Sequence, residues 1–325
     1  MRARRQGYRG VDRCTIRRAP GRGRGGVDRA AQIGCKAGGA GLTDCGNPVT
    51  QPRSSDHEPS RSTWHPRRDA RELAIDRVGI RGLRYPMQFA DGADPPQATV
   101  GSFNVYVALP AQQKGTHMSR LVAVIDEMRE SLSLGGMSAL LDTMLQRLDA
   151  EDGRIEIEFP WFMRKAAPVS GVPSMMDYEV KLSADHTDGK RTISATVVVP
   201  VMSLCPSSKA ISDYGAHNQR SHLKLTVRPR PGDDDEPVSL AKLVGIAEDE
   251  ASCELYALLK RADEKYVTER AYDRPRFVED LVREVGTRLR AQRNFPRFEI
   301  EAESLESIHA HSAYARLSYP VPEQA

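Results

Sequence analysis

Hydrophobic and polar positions follow two different periods between residues 74 and 187. Stretches rich in β-branched and aromatic residues with partial alternation are typical of strands, whereas apolar residues recurring every three or four positions are typical of helices. The pattern predicts strands at 75–87 and 98–109, helices around 121–128 and 140–148, and strands at 154–163 and 176–186. This part of the chain is therefore predicted to have the order ββααββ.

The same order recurs in the rest of the chain. Asp188 and Gly189 predict a tight hairpin turn into the next strand. The following elements are predicted as strands at 191–203 and 222–230, helices near 238–261 and 276–292, and strands at 296–303 and 312–319. Two successive ββααββ units indicate an internal duplication. The expected fold class is α+β, with antiparallel sheets and paired helices on one face.

Composition separates residues 1–70 from this folded part. They contain 15 Lys and Arg against 6 Asp and Glu, with a single Leu and no Phe. Such a segment cannot bury enough apolar surface to offset the entropy of ordering. We therefore predict a basic, Gly/Arg-rich disordered extension at 1–70, an N-terminal module at 71–187 and a C-terminal module at 188–325. A nucleic-acid-binding arm is an alternative reading of the extension, although charge blocks are often merely solvated.

The remaining composition argues for an intracellular protein outside the membrane. No run approaches the roughly 18 apolar residues of a membrane span, and a signal-peptide core is missing. Only Cys205 and Cys253 fall in the folded part, which is not a disulfide framework. We expect a cytoplasmic location with reduced thiols.

The densest polar stretch, residues 203–222, begins where a buried strand is predicted to end. Cys205 precedes a proline, which places it at the strand end rather than inside a helix. Cys205 and His217 are a thiol and an imidazole, both compatible with zinc and similar divalent ions. One Cys and one His do not define a site, and a buried Cys beside a hydrogen-bonded His is the alternative.

Two further polar stretches carry candidate groups. Residues 259–272 are predicted to link the last two helices, and a solvated loop is the simpler interpretation of that run. Glu279 falls in the first turn of the last helix, where the helix dipole favours a carboxylate without any function. His309 and His311 follow Glu306, and on a strand they would share one face, which suits a metal or a substrate. Three protein ligands with an open position would make a hydrolytic metal site.

Five motifs resemble the type IB GTP cyclohydrolase family. In chain order they are QKGTHMSR at 113–120, SLCPSSKAISDYGAHNQRSH at 203–222, LLKRADEKYVTERAY at 258–272, FVEDLVRE at 277–284 and ESIHAHSAYA at 306–315. The resemblance runs from about Asp76 to Tyr319 and covers the predicted folded part, but not the basic extension.

The resemblance implies a tunnelling fold with two ββααββ modules per chain and assembly into a homotetramer. It also implies conversion of GTP and water to 7,8-dihydroneopterin 3'-triphosphate and formate, the first step of tetrahydrofolate biosynthesis. The implied cofactor is a divalent metal ion such as zinc, manganese or iron, without an organic cofactor.

The resemblance also implies roles for individual residues. Cys205 and His217 would act in catalysis and at the metal, Glu264 and His309 would lie at the metal site, and Glu279 would anchor the heterocycle of the substrate. Many members carry a second Cys where this chain has Ser207, which leaves Cys205 as the candidate thiol. Cations within the motifs are candidates for binding the triphosphate, namely Lys209, Arg220, Lys260, Arg261 and Arg270.

Two alternatives stay open at this point. A tunnelling-fold, NADPH-dependent nitrile reductase would use Cys205 as a covalent nucleophile and would not need His217 and His309. A non-catalytic nucleic-acid binder would depend on residues 1–70, and we expect no nucleic-acid or membrane partner.

Overall fold

A computed structural model describes residues 69–92, 95–128, 130–229, 238–292 and 295–320. The predicted extension at 1–70 therefore lies almost wholly outside the described residues, and its character stays a prediction. Among the described residues, no helix is long and apolar enough to cross a membrane.

The described residues form nine strands and six helices. The first half contains β1 Ile75–Phe89, β2 Gln97–Leu109, α1 Met118–Asp126, α2 Gly136–Leu148, β3 Gly153–Ala166 and β4 Pro173–Thr187. The second half contains β5 Lys190–Leu204, α3 Pro206–Ile211, β6 Asn218–Arg228, α4 Leu240–Glu250, β7 Cys253–Glu254, α5 Arg261–Asp273, α6 Val278–Arg290, β8 Arg297–Ser304 and β9 Ala313–Tyr319.

The strands form one antiparallel sheet in the order β1-β2-β3-β4-β5-β6-β8-β9, and the short β7 pairs with β5 beyond the last pair of β5 with β4. The turn between β4 and β5 consists of Asp188 and Gly189, whose φ angles are 53° and 70°. Two successive positive φ values define the mirror-image turn that matches the twist of paired strands, so Asp-Gly is well suited there. The predicted hairpin is confirmed.

One face of the sheet is covered by helices. Along β2, Phe103, Val105 and Val107 are buried while the residues between them are partly exposed. α1 and α2 pack on this face in the first half, and α4 and α6 in the second. Each fully buried side chain of this kind stabilises the fold by about 1.5–3 kcal/mol. The α+β class is confirmed, and the ββααββ order recurs in the second half with α3, β7 and α5 added to it. The module boundary at 187/188 stays a prediction because a single sheet crosses it.

The predicted helix at 238–261 is wrong in its second part. α4 ends at Glu250, and the chain then turns to pair β7 with β5. Ser252 accepts a hydrogen bond from the backbone N–H of Leu204 at 3.0 Å, which ties this segment to the end of β5. Buried residues such as Cys253 resemble a continuation of the helical pattern in the sequence, but they pack beside the sheet instead.

The solvated loop predicted at 259–272 is also wrong, because these residues form α5. Its buried stripe contains only Asp263, Val267 and Ala271, and one of the three is charged. A helix with so few apolar positions leaves little hydrophobic periodicity to detect. α5 packs on a small second cluster with Cys253 and Met202, apart from the main core.

Candidate active site

The helix-covered face of the sheet becomes polar where β5, β6 and β8 meet. Ser203, Ser221 and Ser304 are buried there, at positions that continue the apolar stripes of their strands. The hydroxyl oxygens of Ser221 and Ser304 lie 2.7 Å apart, and the Ser203 hydroxyl donates to the carbonyl of Arg276 at 3.1 Å. Buried polar groups need such partners, so this end of the sheet is built to hold polar side chains in fixed positions.

Cys205 directly follows β5 and caps the short helix α3. Its backbone is extended, with φ −70° and ψ 118°, and Pro206 occupies the first helical position. The Cys205 sulfur accepts the backbone N–H of Ser208 at 3.4 Å, and the residue is half-buried. The predicted place of Cys205 at a strand end is confirmed, and its thiol is held at the start of a helix.

His217 lies at the other end of the same connection, immediately before β6. The backbone N–H of Cys205 donates to the carbonyl of His217 at 3.1 Å. The backbone N–H of His217 donates to the hydroxyl of Ser208 at 3.2 Å. These bonds join the two ends of the connection between β5 and β6, so Cys205 and His217 lie side by side.

The ring of His217 faces residues of β6 and of the loop after β8. Its Nδ1 atom lies 3.0 Å from Gln219 Oε1, 3.3 Å from Ser307 Oγ and 3.9 Å from Glu306 Oε2. The loop is held against β6 by a bond of 2.9 Å from the N–H of Leu305 to the carbonyl of Arg220. An imidazole, an amide, a hydroxyl and a carboxylate therefore converge next to Cys205.

Glu279 approaches the same region through the start of α6. The backbone N–H of Arg276 donates to the carbonyl of Leu204 at 3.0 Å, directly beside Cys205. Glu279 is exposed in the first turn of α6. The structure thus ties the segment that precedes Glu279 to the strand end that carries the thiol.

The other two predicted metal-site residues make contacts of their own. Glu264 is in the first turn of α5, and its carboxylate pairs with Arg261 at 3.4 Å. His309 and His311 are exposed in the loop between β8 and β9 rather than on a strand, although their rings stack at 5.1 Å. Within the described ranges, no group of three His, Cys, Asp or Glu side chains is arranged to hold a metal ion.

The predicted phosphate-binding cations differ in their surroundings. Lys209 donates to the carbonyl of Tyr272 at 2.5 Å and lies 4.1 Å from the centre of that ring, which ties α3 to the end of α5. Arg270 pairs with Glu254 at 3.2 Å. Arg220, Lys260 and Arg261 are exposed, and Arg261 also pairs with Glu264.

Sequence reasoning missed Gln219, Ser307 and Glu306 as site residues. Gln219 had a local signal, because residues two apart on a strand lie on one side of it. Glu306 was noted only as the carboxylate ahead of His309, and its contact with His217, like that of Ser307, depends on the pairing of β6 with β8. Cys253 is buried, and burial raises the pKa of its thiol to about 12, so it is not a second reactive thiol.

The fold and this site define the class of protein: an α+β protein built on one antiparallel sheet, with a thiol, an imidazole and carboxylates at the ends of adjacent strands. The family model for type I GTP cyclohydrolase FolE2 matches residues 65–315. The chain belongs to this family.

Three relatives carry the same description. GTP cyclohydrolase FolE2 2 of Cupriavidus metallidurans is 54% identical over 251 residues, which cover 77% of this chain and 92% of the relative. GTP cyclohydrolase FolE2 of Ralstonia nicotianae is 53% identical, with 76% and 90% covered. The Burkholderia thailandensis protein is 54% identical, with the same coverage. None of these names supports the alternative of a nitrile reductase.

The solved structures that match this chain have much lower sequence identity than these relatives. Uricase from Arthrobacter globiformis has a TM-score of 0.43 and 7% identity, covering 74% of this chain and 92% of its own. Urate oxidase from Bacillus subtilis has a TM-score of 0.44 and 8% identity, with 76% and 98% covered.

Proposed function

We propose that this protein converts GTP and water to 7,8-dihydroneopterin 3'-triphosphate and formate, the first step of tetrahydrofolate biosynthesis. The observation that carries the proposal is the placement of Cys205 and His217 side by side, within a chain that belongs to the FolE2 family. The relatives are named GTP cyclohydrolases, and the match covers most of their length.

The residues of this chain suit recognition of guanine and transfer of protons. Glu279 is a hydrogen-bond acceptor that would bind the N–H groups on the pyrimidine edge of guanine, a pattern that adenine does not offer. His217 would move protons during ring opening and re-closure, as an imidazole does near neutral pH. Arg220, Lys260 and Arg261 are exposed cations that would contact the triphosphate.

The chemical types of the site residues suit a divalent metal ion. Thiolate, imidazole and carboxylate are the ligands that zinc takes in proteins, and Cys205, His217, Glu264 and His309 would hold it. A bound ion supplies Lewis-acid chemistry that activates water for attack on the guanine ring. Among the described residues no three of the candidate ligand types are arranged to hold an ion, so we propose that a second copy brings ligands to the site.

Exposed apolar side chains around the site support this view. Ile211 at the end of α3 is 85% exposed, Tyr214 between α3 and β6 is 101% exposed, and Ile308 is 63% exposed in the loop that carries His309. Apolar groups gathered near a polar site favour a contact between subunits. We propose a homotetramer located in the cytoplasm, where GTP is available.

The test measures formate release and pteridine fluorescence from GTP. The protein is treated with EDTA and then supplied with zinc, manganese or iron. Cys205→Ala is compared with Cys253→Ala, a matched control in which the other thiol of the folded part is removed. We expect metal-restored turnover in the wild type and in Cys253→Ala, and none above background in Cys205→Ala.

Two results would overturn the proposal. Absence of turnover by the wild type with each metal would remove the cyclohydrolase assignment. Equal turnover by Cys205→Ala and the wild type would remove the thiol from the site.

A further inference from the structure

The contacts around His217 determine which of its ring nitrogens carries the proton. The chain of contacts starts at Glu306, whose Oε1 atom lies 3.4 Å from Gln219 Nε2. A carboxylate accepts hydrogen bonds, and the NH₂ group of Gln219 is the donor that faces it. The reversed amide would set two acceptor oxygens against each other, so Glu306 fixes the orientation of the Gln219 side chain.

The fixed amide in turn selects a tautomer of His217. Gln219 Oε1 lies 3.0 Å from His217 Nδ1, and a carbonyl oxygen only accepts. Nδ1 must therefore carry the hydrogen. In a neutral imidazole only one nitrogen is protonated, so Nε2 keeps its lone pair.

The other groups that face Nδ1 favour the same assignment. Ser307 Oγ at 3.3 Å can accept from an N–H. Glu306 Oε2 lies at 3.9 Å, and a carboxylate oxygen at that distance attracts the hydrogen of an N–H group. The side chains of His217 and Glu306 are only 13% and 16% exposed, so water competes weakly with these contacts.

We propose that Gln219, oriented by Glu306, is a positioning residue that holds His217 in the Nδ1–H tautomer and leaves Nε2 free for the metal or the reacting proton. The functional part of this inference depends on the cyclohydrolase proposal, whereas the tautomer does not. Groups that orient a ligating or catalytic imidazole in this way typically change metal affinity or activity by 10–100-fold.

The direct test is the tautomer of His217 in the metal-free full chain. Magic-angle-spinning NMR of protein labelled with ¹³C and ¹⁵N at histidine distinguishes Nδ1–H from Nε2–H, and His217→Asn identifies the signal. His186 provides an internal standard, because its Nδ1 lies 2.9 Å from the carbonyl of Glu151 and must also carry the hydrogen. We expect both residues as Nδ1–H at a pH where they are neutral.

Three substitutions test separately the contact of Gln219 with His217 and the contact of Glu306 with Gln219. Gln219→Leu and Glu306→Leu should shift His217 toward the Nε2–H form, which a free imidazole prefers in water. Glu306→Gln keeps an acceptor for the Gln219 amide and should retain Nδ1–H. Gln88→Leu, at an exposed position of β1, is the matched glutamine control and should change nothing. An unchanged His186 signal shows that each variant is folded.

Zinc affinity adds a functional readout that does not depend on turnover. Competition with a chromogenic chelator should show Zn²⁺ binding about 10–100-fold weaker in Gln219→Leu and unchanged in Gln88→Leu. His217 found as Nε2–H in the wild type, or as Nδ1–H in Gln219→Leu, would overturn the inference. Failure of the cyclohydrolase proposal would show separately, as a wild type with the expected tautomer that releases no formate.

Discussion

The two halves of the sheet share an order of elements but differ in the connections at one end of it. The corresponding connections are 90–96, 127–135 and 167–172 in the first half and 205–217, 251–277 and 305–312 in the second. Each one is longer in the second half, and these longer segments carry Cys205, His217 and Glu306. The strands supply a frame in both halves, and the candidate site lies in loops that only one half has extended.

The first half supports these loops through a contact with α5. Its hairpin at 167–172 binds the start of α5, since Asp263 accepts the N–H groups of Val169 and Ser170 at 2.8 Å each. The other end of α5 accepts Lys209 of α3, next to Cys205. α5 thus connects the hairpin of one half to the thiol-bearing helix of the other.

Breaking the buried ion pair between the halves should have the largest effect. Lys165 of β3 lies 2.7 Å from Glu248 of α4, both nearly inaccessible, and Tyr178 donates to the same carboxylate at 3.0 Å. Removal of one partner leaves a buried charge, so Lys165→Met or Glu248→Gln alone should lower the free energy of unfolding by about 3–5 kcal/mol. Urea denaturation of each variant measures the loss.

The double variant sharpens this prediction. Lys165→Met combined with Glu248→Gln removes both charges and keeps an acceptor for Tyr178, so most of the stability should return. Lys181→Met is the surface control, because Lys181 pairs with Glu156 and Glu158 at partly exposed positions and should cost less than about 1 kcal/mol. A double variant as unstable as the singles would contradict the interpretation.

The hairpin contact of α5 should respond to pH. Burial alone would raise the pKa of Asp263, but the hydroxyl and N–H of Ser170 and the N–H groups of Lys260 and Val169 hold that pKa well below its usual range. A carboxyl group whose pKa is lower in the folded than in the unfolded state stabilises the fold when the pH is above the unfolded pKa of about 3.9. This contribution is lost as the pH falls toward the folded pKa.

Asp263→Asn keeps one acceptor oxygen, so its effect should be smaller than that of Glu248→Gln. The difference in stability between wild type and Asp263→Asn should be constant near neutral pH and shrink below about pH 4. Asp273→Asn, at the exposed end of α5, is the matched control and should show no such trend. A difference that persists at low pH would show that the charge of Asp263 does not matter. Denaturation midpoints at several pH values provide the measurement.

The sequence allowed the repeated order of elements and the location of Cys205 to be predicted, because both depend on local patterns. Alternation and helical spacing mark the strands and most helices, and proline after Cys205 excludes a helix interior. α5 was missed because its buried stripe includes a carboxylate whose partners lie on a distant hairpin. That kind of compensation depends on the tertiary fold and leaves no local trace.

The same limit applies to the site. His217 and Cys205 were predicted together since they end one connection, whereas Glu306 reaches His217 only through the register of β6 and β8. The hydrogen bond from Lys209 to the carbonyl of Tyr272 could not be predicted either, because Tyr272 lies in a different helix. Sequence patterns therefore indicated residue types for the chemistry, and the pairing of strands decided which of them meet.

Lys209 offers the smallest but most discriminating test of the comparison. If it ties α3 to α5, Lys209→Met should lower the free energy of unfolding by about 1 kcal/mol, reduce kcat and leave the KM for GTP unchanged. If it binds the triphosphate instead, KM should rise while stability stays constant. Lys265→Met removes an exposed lysine of α5 and should alter stability by less than about 0.5 kcal/mol. Steady-state kinetics with GTP and urea denaturation decide between them, because a residue that holds the scaffold and one that holds the substrate affect different constants.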